Sequence, residues 1–497
     1  MKKEIFFNLV FTFMINLLNF IQGRYFVEYL GVETLGIMKL FTQLLTYLNI
    51  VEMGLGTSST FALYKPLAEK DYKKLNIVVS TIENIYNKVA ILLLTLGVLC
   101  IPIIPFFMKM DNFSNTIYFY WILYVINTVS TYLFVKYVIL FTANQELLYV
   151  KTIQSSCAIV FKFLQIFCII KYSSFFIYII IMIIDSLIQW ILFKFHYKKK
   201  YFYVTKTKER FPEIKSNMKN LVWHKLGWIV VSNTDLILIS KFTSLEVVGI
   251  YASYQMIIYV LKTIMEILLN IISPKIGKFI AGHTKIEIYE KYKKINILYC
   301  FISTFLTYCT YILVNSFVKL WLGDNIYLSN LTIKLICINL WIVLFRGILI
   351  IFKDNSGFFD DTQTPVLESI INLITSVTLG LKIGLNGVII GTIISSLLIT
   401  LGYKSILVFE RCFDKDWKEY VKVYGNYFIL VVISLGSLNF ITRSFIQENI
   451  NSWSEWIIYS IKISSTSLIV ITLIFLLNKD FRILLKENIK IKNKGEV

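Results

Sequence analysis

Fourteen long apolar segments, joined by short loops whose basic residues fall almost entirely on alternate sides, constrain this 497-residue chain more than any other feature. Crossing the hydrocarbon core of a bilayer as a helix takes about 20 apolar residues. Runs of that kind lie near 5–29, 36–63, 77–107, 116–142, 149–171, 174–195, 220–241, 246–273, 294–319, 329–352, 364–383, 385–409, 424–442 and 454–477. The expected fold class is therefore an all-α polytopic membrane protein with about 14 transmembrane helices and no soluble domain. A charged fraction of 16% and a mean hydropathy of +0.68 fit that reading, because soluble domains carry about 25% charged residues. The net charge of +19 raises the question of nucleic acid, but the basic residues are spread between apolar spans and form no stripe or tail, so nucleic acid is discarded as a partner. The first apolar run is too long for a signal-peptide core and is expected to stay as a span.

Orientation follows from the loops. One set holds Lys2 and Lys3, Lys65 to Lys74, the stretch from Lys198 to Lys219, Lys275 to Lys294, Arg411 to Lys422 and Lys479 to Lys494. The other offers little beyond Lys109, Lys171, Lys241, Lys319, Lys382 and Arg443. By the positive-inside rule both termini are cytoplasmic. Of seven cysteines, Cys412 is placed in a cytoplasmic loop and the rest inside spans, so neither disulfides nor a metal site is expected.

The chain also repeats itself. Glu33-Thr34-Leu35-Gly36-Ile37 recurs 213 residues later as Glu246-Val247-Val248-Gly249-Ile250. At the same offset, the polar stripe Gln255, Tyr259, Lys262, Glu266, Asn270 and Ser273 pairs with Thr42, Thr46, Asn49, Met53, Thr57 and Thr60. Spacings of three and four put each stripe on one helical face. Lys136 and Arg346 stand at similar depths in the fourth and tenth spans. The simplest parse is two six-helix lobes, 1–215 and 216–412, related by a parallel pseudo-two-fold repeat, followed by two extra helices and a basic cytoplasmic tail over 413–497. A chance match in an apolar sequence is the alternative.

Polar groups at membrane depth are costly facing lipid, so they face other helices or a wet cavity. Lys136, Lys162, Lys262 and Arg346, with Gln255, Tyr259 and Asn49, are the candidate substrate-binding residues. Asp235, on one face with Thr234 and His224, Glu266 and Glu368 are candidate ion carriers, since a buried acid can take up and release H⁺ or Na⁺. In that set four cations stand against three acids. A mildly cationic cavity suits an anionic cargo such as phosphate or pyrophosphate, which Lys and Arg recognise by charge-assisted hydrogen bonds. Lys262 and Glu266 are equally well spaced for an i,i+4 pair that only joins helices, while Arg24, Lys39 and Lys241 read as snorkelling residues near the interfaces. Gly54-Leu55-Gly56 lacks the context of a nucleotide fingerprint and reads as a packing or bending element in a membrane helix. With no Walker motif, no metal spacing and no convincing Ser/His/Asp set, neither an enzyme nor a bound cofactor is expected.

Several local motifs resemble one family. These are Tyr29-Leu30-Gly31-Val32-Glu33-x-x-Gly36, Glu52-Met53-Gly54-Leu55-Gly56, Leu63-Tyr64-Lys65-Pro66-Leu67-Ala68, Thr234-Asp235-x-x-x-Ile239-Ser240, Val248-Gly249-Ile250-Tyr251, Asn372-Leu373-x-x-Ser376 and Gly384-x-x-Gly387-Val388-x-x-Gly391-Thr392. In order and spacing the chain resembles the Wzx-type oligosaccharide flippases of the multidrug/oligosaccharidyl-lipid/polysaccharide exporter superfamily, with Glu52 where that family usually has aspartate. The resemblance implies two six-helix lobes around a central cavity. It also implies transport of a polyprenyl (undecaprenyl)-pyrophosphate-linked repeat unit, of O-antigen, lipopolysaccharide or capsule, from the cytoplasmic to the outer leaflet of a bacterial inner membrane. Its expected partners are the lipid-linked oligosaccharide, membrane lipids, a repeat-unit polymerase and a chain-length regulator. Two other readings stay open. A cation-coupled multidrug exporter of the same superfamily would want an acidic cavity, and a membrane glycosyltransferase or polymerase would want a long external loop.

Overall fold

A computed structural model describes residues 2–52, 55–108, 115–211, 234–324, 326–358, 361, 363–445 and 450–493. It is all-helical through these residues, and ten helices are long and apolar enough to cross a membrane. They cover the third to sixth and eighth to fourteenth expected spans, because the stretch Gln363–Phe413 holds two of them. Of the seventh expected span, residues 220–233, including His224, lie outside the described residues.

The chain forms two compact units, residues 1–252 and 253–497. Unit 1 opens with α1 (Lys2–Leu30) and α2 (Val32–Leu48), separated at Gly31, whose φ of +85° is open to glycine and strained for other residues. The expected second span does not run on as one helix. It gives way after Leu48 to a short 3₁₀ turn, Asn49–Glu52, and resumes as α3 (Leu55–Glu69). Of Gly54-Leu55-Gly56, Gly54 lies outside the described residues and Leu55 and Gly56 open α3, so the motif does not sit inside one continuous membrane helix. Next come α4 (Tyr72–Leu99), α5 (Thr116–Ala143), α6 (Leu147–Tyr172) and α7 (Phe175–Lys200). Ser173 in the left-handed conformation stops α6, and Ser174 caps α7 by accepting from the Ile177 amide. The core of the unit lies where α5 packs on α4 and α7, and α6 packs on α1 and α7. Aromatic side chains fill it, with Trp121, Phe41 and Tyr86 almost wholly buried. After α8 (Asp235–Phe242), the long helix α9 (Leu245–Gly282) begins in this unit.

The two copies of the repeated motif meet. A Cβ on Gly36 would collide with the Leu245 carbonyl, and one on Gly249 with the Val32 carbonyl, so α2 and the start of α9 touch backbone to backbone. The shared glycines at matching positions are the packing condition for that contact.

Unit 2 is built around α10 (Lys285–Leu322), which a Thr284/Glu287 capping box starts. Against it pack α11 (Asn330–Phe345), α12 (Gly347–Asn355), α16 (Trp453–Phe475) and α17 (Lys479–Asn493), while α15 (Trp417–Thr442) packs on α16. In α10, 56% of the most apolar stretch is buried; in α9 the figure is 11%, so α9 is the exposed helix and α10 the central one. The helix α13 (Gln363–Ser395) folds back on itself at Gly384, φ +58°, placing Asn372 beside Ser395 and Ser376 beside Gly391. A π-helical stretch, Ser396–Tyr403, leads into α14 (Lys404–Phe413). Cys412, expected in a loop, sits buried on α14, because the apolar face around Val408, Phe409 and Phe413 carries the helix past the expected end of its span.

Candidate functional site

In unit 2 the polar face of α9 opens onto a cavity of about 320 Å³. Lys262, Glu266 and Asn270, four residues apart, line one wall with Met265 and Leu269 between them. The opposite wall comes from the junction of α11 and α12, where Arg346 stands between Leu344 and Gly347. Gly347 permits this junction, since a Cβ there would press on the Leu269 side chain at 2.7 Å. Arg346 is held from behind: its Nη1 lies 3.8 Å from Glu368 Oε1 and donates to Thr400 Oγ1 at 3.4 Å. The Thr400 and Ser396 hydroxyls both donate to Glu368, at 2.7 and 3.3 Å. The fold thus brings together three of the expected site residues, Lys262, Glu266 and Arg346, with Glu368 joining through Arg346. Gln255 and Tyr259 lie one to two turns earlier on α9, outside the cavity lining, and Tyr259 is exposed.

The remaining candidates belong to unit 1 and form separate groups. Lys136 Nζ lies 3.0 Å from Glu83 Oε1, with Lys206 at 3.8 Å on the same oxygen, and sits over the Tyr137 ring. Lys162 donates to Gln22 Oε1 at 3.3 Å, and Gln22 Nε2 donates to Gln165 at 2.6 Å. Lys39 and Asp185 stand within electrostatic reach of Lys162, so Lys39, read as a snorkelling residue, belongs to this interior group. Asn49 shares the Tyr132 hydroxyl, 3.2 Å away, with Glu52 at 2.7 Å. Asp235 opens α8 beside Thr234, whose hydroxyl meets that of Tyr47 at 2.6 Å.

Sequence reasoning overlooked Glu83 and Asp185. Each is the one acidic residue of its expected span, a charge at membrane depth like Lys162, so both were findable. They change the charge balance, because Lys136 faces Glu83 at 3.0 Å and Asp185 stands within electrostatic reach of Lys162, so neither lysine is a bare positive charge. Two ion clusters at helix ends were also unassigned. In the first, burial pushes the Glu146 carboxyl up, and hydrogen bonds from Tyr201, His196, Asn144 and Lys200 outweigh that and bring it down to about 2. In the second, Asp361 accepts from Lys353 at 2.7 Å with Lys404 at 3.6 Å; burial raises its carboxyl, and the two lysines more than offset this, leaving it below the usual carboxylate range. Among the described residues no group of three or more His, Cys, Asp or Glu is placed to hold a metal ion.

Residues 1–280 match the family described as polysaccharide biosynthesis protein. No curated protein matches the chain closely enough to count as a relative. Solved structures match over most of the chain. The lipid II flippase MurJ in an inward closed conformation is 15% identical, with a TM-score of 0.68 over 95% of this chain and 98% of that one. An inward-facing multidrug resistance MATE family transporter of the MOP superfamily is 13% identical, with a TM-score of 0.58 over 80% and 96%. The MATE transporter VcmN of Vibrio cholerae is 14% identical, with a TM-score of 0.52 over 83% and 98%. At such identities the likeness establishes a shared fold.

Proposed function

Because the chain belongs to the polysaccharide biosynthesis protein family, we propose that it is a flippase moving a polyprenyl-pyrophosphate-linked oligosaccharide repeat unit, of an O-antigen or capsule type, from the cytoplasmic to the outer leaflet. The observation that carries the reading is the cavity where Lys262 and Arg346, from different helices, face one space. Two cations there replace part of the water shell of a pyrophosphate, at roughly 1.5–3 kcal/mol for each charge-assisted hydrogen bond. Glu368 and Thr400 hold Arg346 in place, and Asn270 supplies a neutral donor beside Lys262. The likeness of fold to MurJ and to MATE transporters supports an alternating-access cycle in which the two halves of the repeat rock about the cargo.

Glu266 and Glu368 stand next to the cations that bind the head group, and Asp235 opens α8 in the other unit. In this reading Glu266 and Asp235 take up H⁺ or Na⁺ as the cargo is exchanged, while Glu368 serves Arg346. Glu266 in the cavity, with Glu368 behind Arg346, also favours a second reading, a cation-coupled exporter of small amphiphiles, which would want these acids as its ligands.

Surface-glycan production in a strain lacking its own flippase separates the two. A Lys262→Ala, Arg346→Ala double variant is expected to lose export at near-normal protein abundance. Full glycan production by that variant overturns the pyrophosphate assignment, and drug resistance that depends on Glu266 would favour the exporter. Reconstitution with imposed H⁺ or Na⁺ gradients tests coupling: flipping indifferent to both gradients, in wild type and in Asp235→Asn and Glu266→Gln, removes it.

A further inference from the structure

Helix α10, with 38 residues, is about 57 Å long, and its two ends differ in chemistry. Lys285, Lys291, Lys293 and Lys294 crowd the first. The second, with the segment leading to α11 and the facing ends of α15 and α16, encloses a cleft of about 610 Å³. That volume is in the range of small-molecule sites.

Three properties of the cleft point to a ligand class. Its lining charges cancel, because Lys319 Nζ lies 3.3 Å from Asp324 Oδ1, so it has nothing to offer a pyrophosphate. Asn330 and Asn439 face it with exposed side chains, each amide presenting both donors and an acceptor. Hydroxyl groups, which also donate and accept, are the natural complement. Tyr311 and the 60% exposed Tyr327 add flat apolar faces at the wall and rim. The rim is fixed in place: the Leu328 amide donates to the Tyr254 hydroxyl at 3.1 Å, and Asn315 donates to the Leu328 carbonyl at 3.3 Å. Phe317 packs on Trp453 and Trp456 beside it, the aromatic composition of a membrane–water boundary.

We propose that this cleft is a second binding site of unit 2, selective for the uncharged, hydroxyl-rich sugar rings of the cargo and separate from the cationic cavity that takes its phosphates. The identity of those rings rests on the flippase reading. Aromatic faces cover the C–H faces of a pyranose while amides satisfy its hydroxyls, a pairing that a lipid tail would waste.

The test uses full-length protein in nanodiscs, with the oligosaccharide freed by mild acid from the lipid-linked pool of the source strain as probe and calorimetric titration as readout. Tyr327→Ala and Asn439→Ala are each expected to weaken binding about tenfold or more. Tyr327→Phe, which keeps the ring, should bind as wild type does. Equal binding by wild type, Tyr327→Ala and Asn439→Ala overturns the site, as does absence of binding in a wild type that flips the lipid-linked form in liposomes. Binding with the expected variant pattern but no flipping keeps the cleft and removes the flippase.

Discussion

Sequence patterning assigns Lys136 and Arg346 to corresponding spans of two repeats, yet each unit of the fold uses its cation differently. Lys136 is engaged: a carboxylate at 3.0 Å and a tyrosine ring beneath the ammonium compete with any incoming anion for it. Arg346 keeps its carboxylate at 3.8 Å and opens onto a cavity shared with Lys262. The difference teaches that a cation at membrane depth is not by itself a binding residue. What matters is how far its partner has already satisfied it, and whether space lies in front of it.

The largest effect expected from breaking this contrast is on Arg346. Arg346→Ala should cut export about tenfold or more, the loss of a charge-assisted contact, with protein abundance unchanged, as flipping rates in liposomes and immunoblots can check. Equal rates would make the two cations alike after all.

Next comes the hairpin that sets Glu368 behind Arg346. A Cβ on Gly391 would strike Ser376. Gly391→Ala should therefore spread the hairpin and destabilise unit 2 by about 1–3 kcal/mol, lowering both melting temperature and export. A melting curve identical to wild type would show that the hairpin is not tight.

For Lys136 the expectation is reversed. Lys136→Ala leaves Glu83 with only the exposed Lys206 at 3.8 Å and should lower stability by about 1 kcal/mol, and Lys136→Met with Glu83→Gln should restore it as a neutral pair. Restored folding with restored export marks Lys136 as structural, whereas restored folding without export would return it to the cargo site.

The smallest expected effect is a pH dependence at Glu146. Its folded carboxyl is held near 2, below the usual value of about 4.3. Its contribution is therefore complete above the unfolded value and fades as pH falls from about 4.3 towards 2. The melting-temperature gap between wild type and Glu146→Gln should be constant near neutrality and close across that window. A constant gap down to pH 2 would contradict the hydrogen-bonded arrangement.

Helices and their turns were legible because they depend on local signals. Apolar runs of sufficient length marked α4 to α7, and the narrow gaps between the expected spans ending at 171 and 383 and those that follow are the sharp turns at Ser173 and Gly384. The four-residue spacing of Lys262, Glu266 and Asn270 correctly put them on one face. What stayed hidden is tertiary. Glu83 and Lys136 are 53 residues apart, and only the packing of α4 on α5 pairs them. Nor does hydropathy report the break after Leu48, because Asn49 and Glu52 are too few among apolar neighbours to interrupt the run.

The length of α10 has a mechanical consequence. A single unbroken rod of about 57 Å outruns a hydrocarbon layer of about 30 Å by some 27 Å, so its tips stand among head groups or in water. A beam that stiff barely bends over such a span, and a small tilt at the lysine-rich tip reappears as a swing at the Lys319 tip. Whatever grips one extremity of this lever is felt, almost undiminished, at the other.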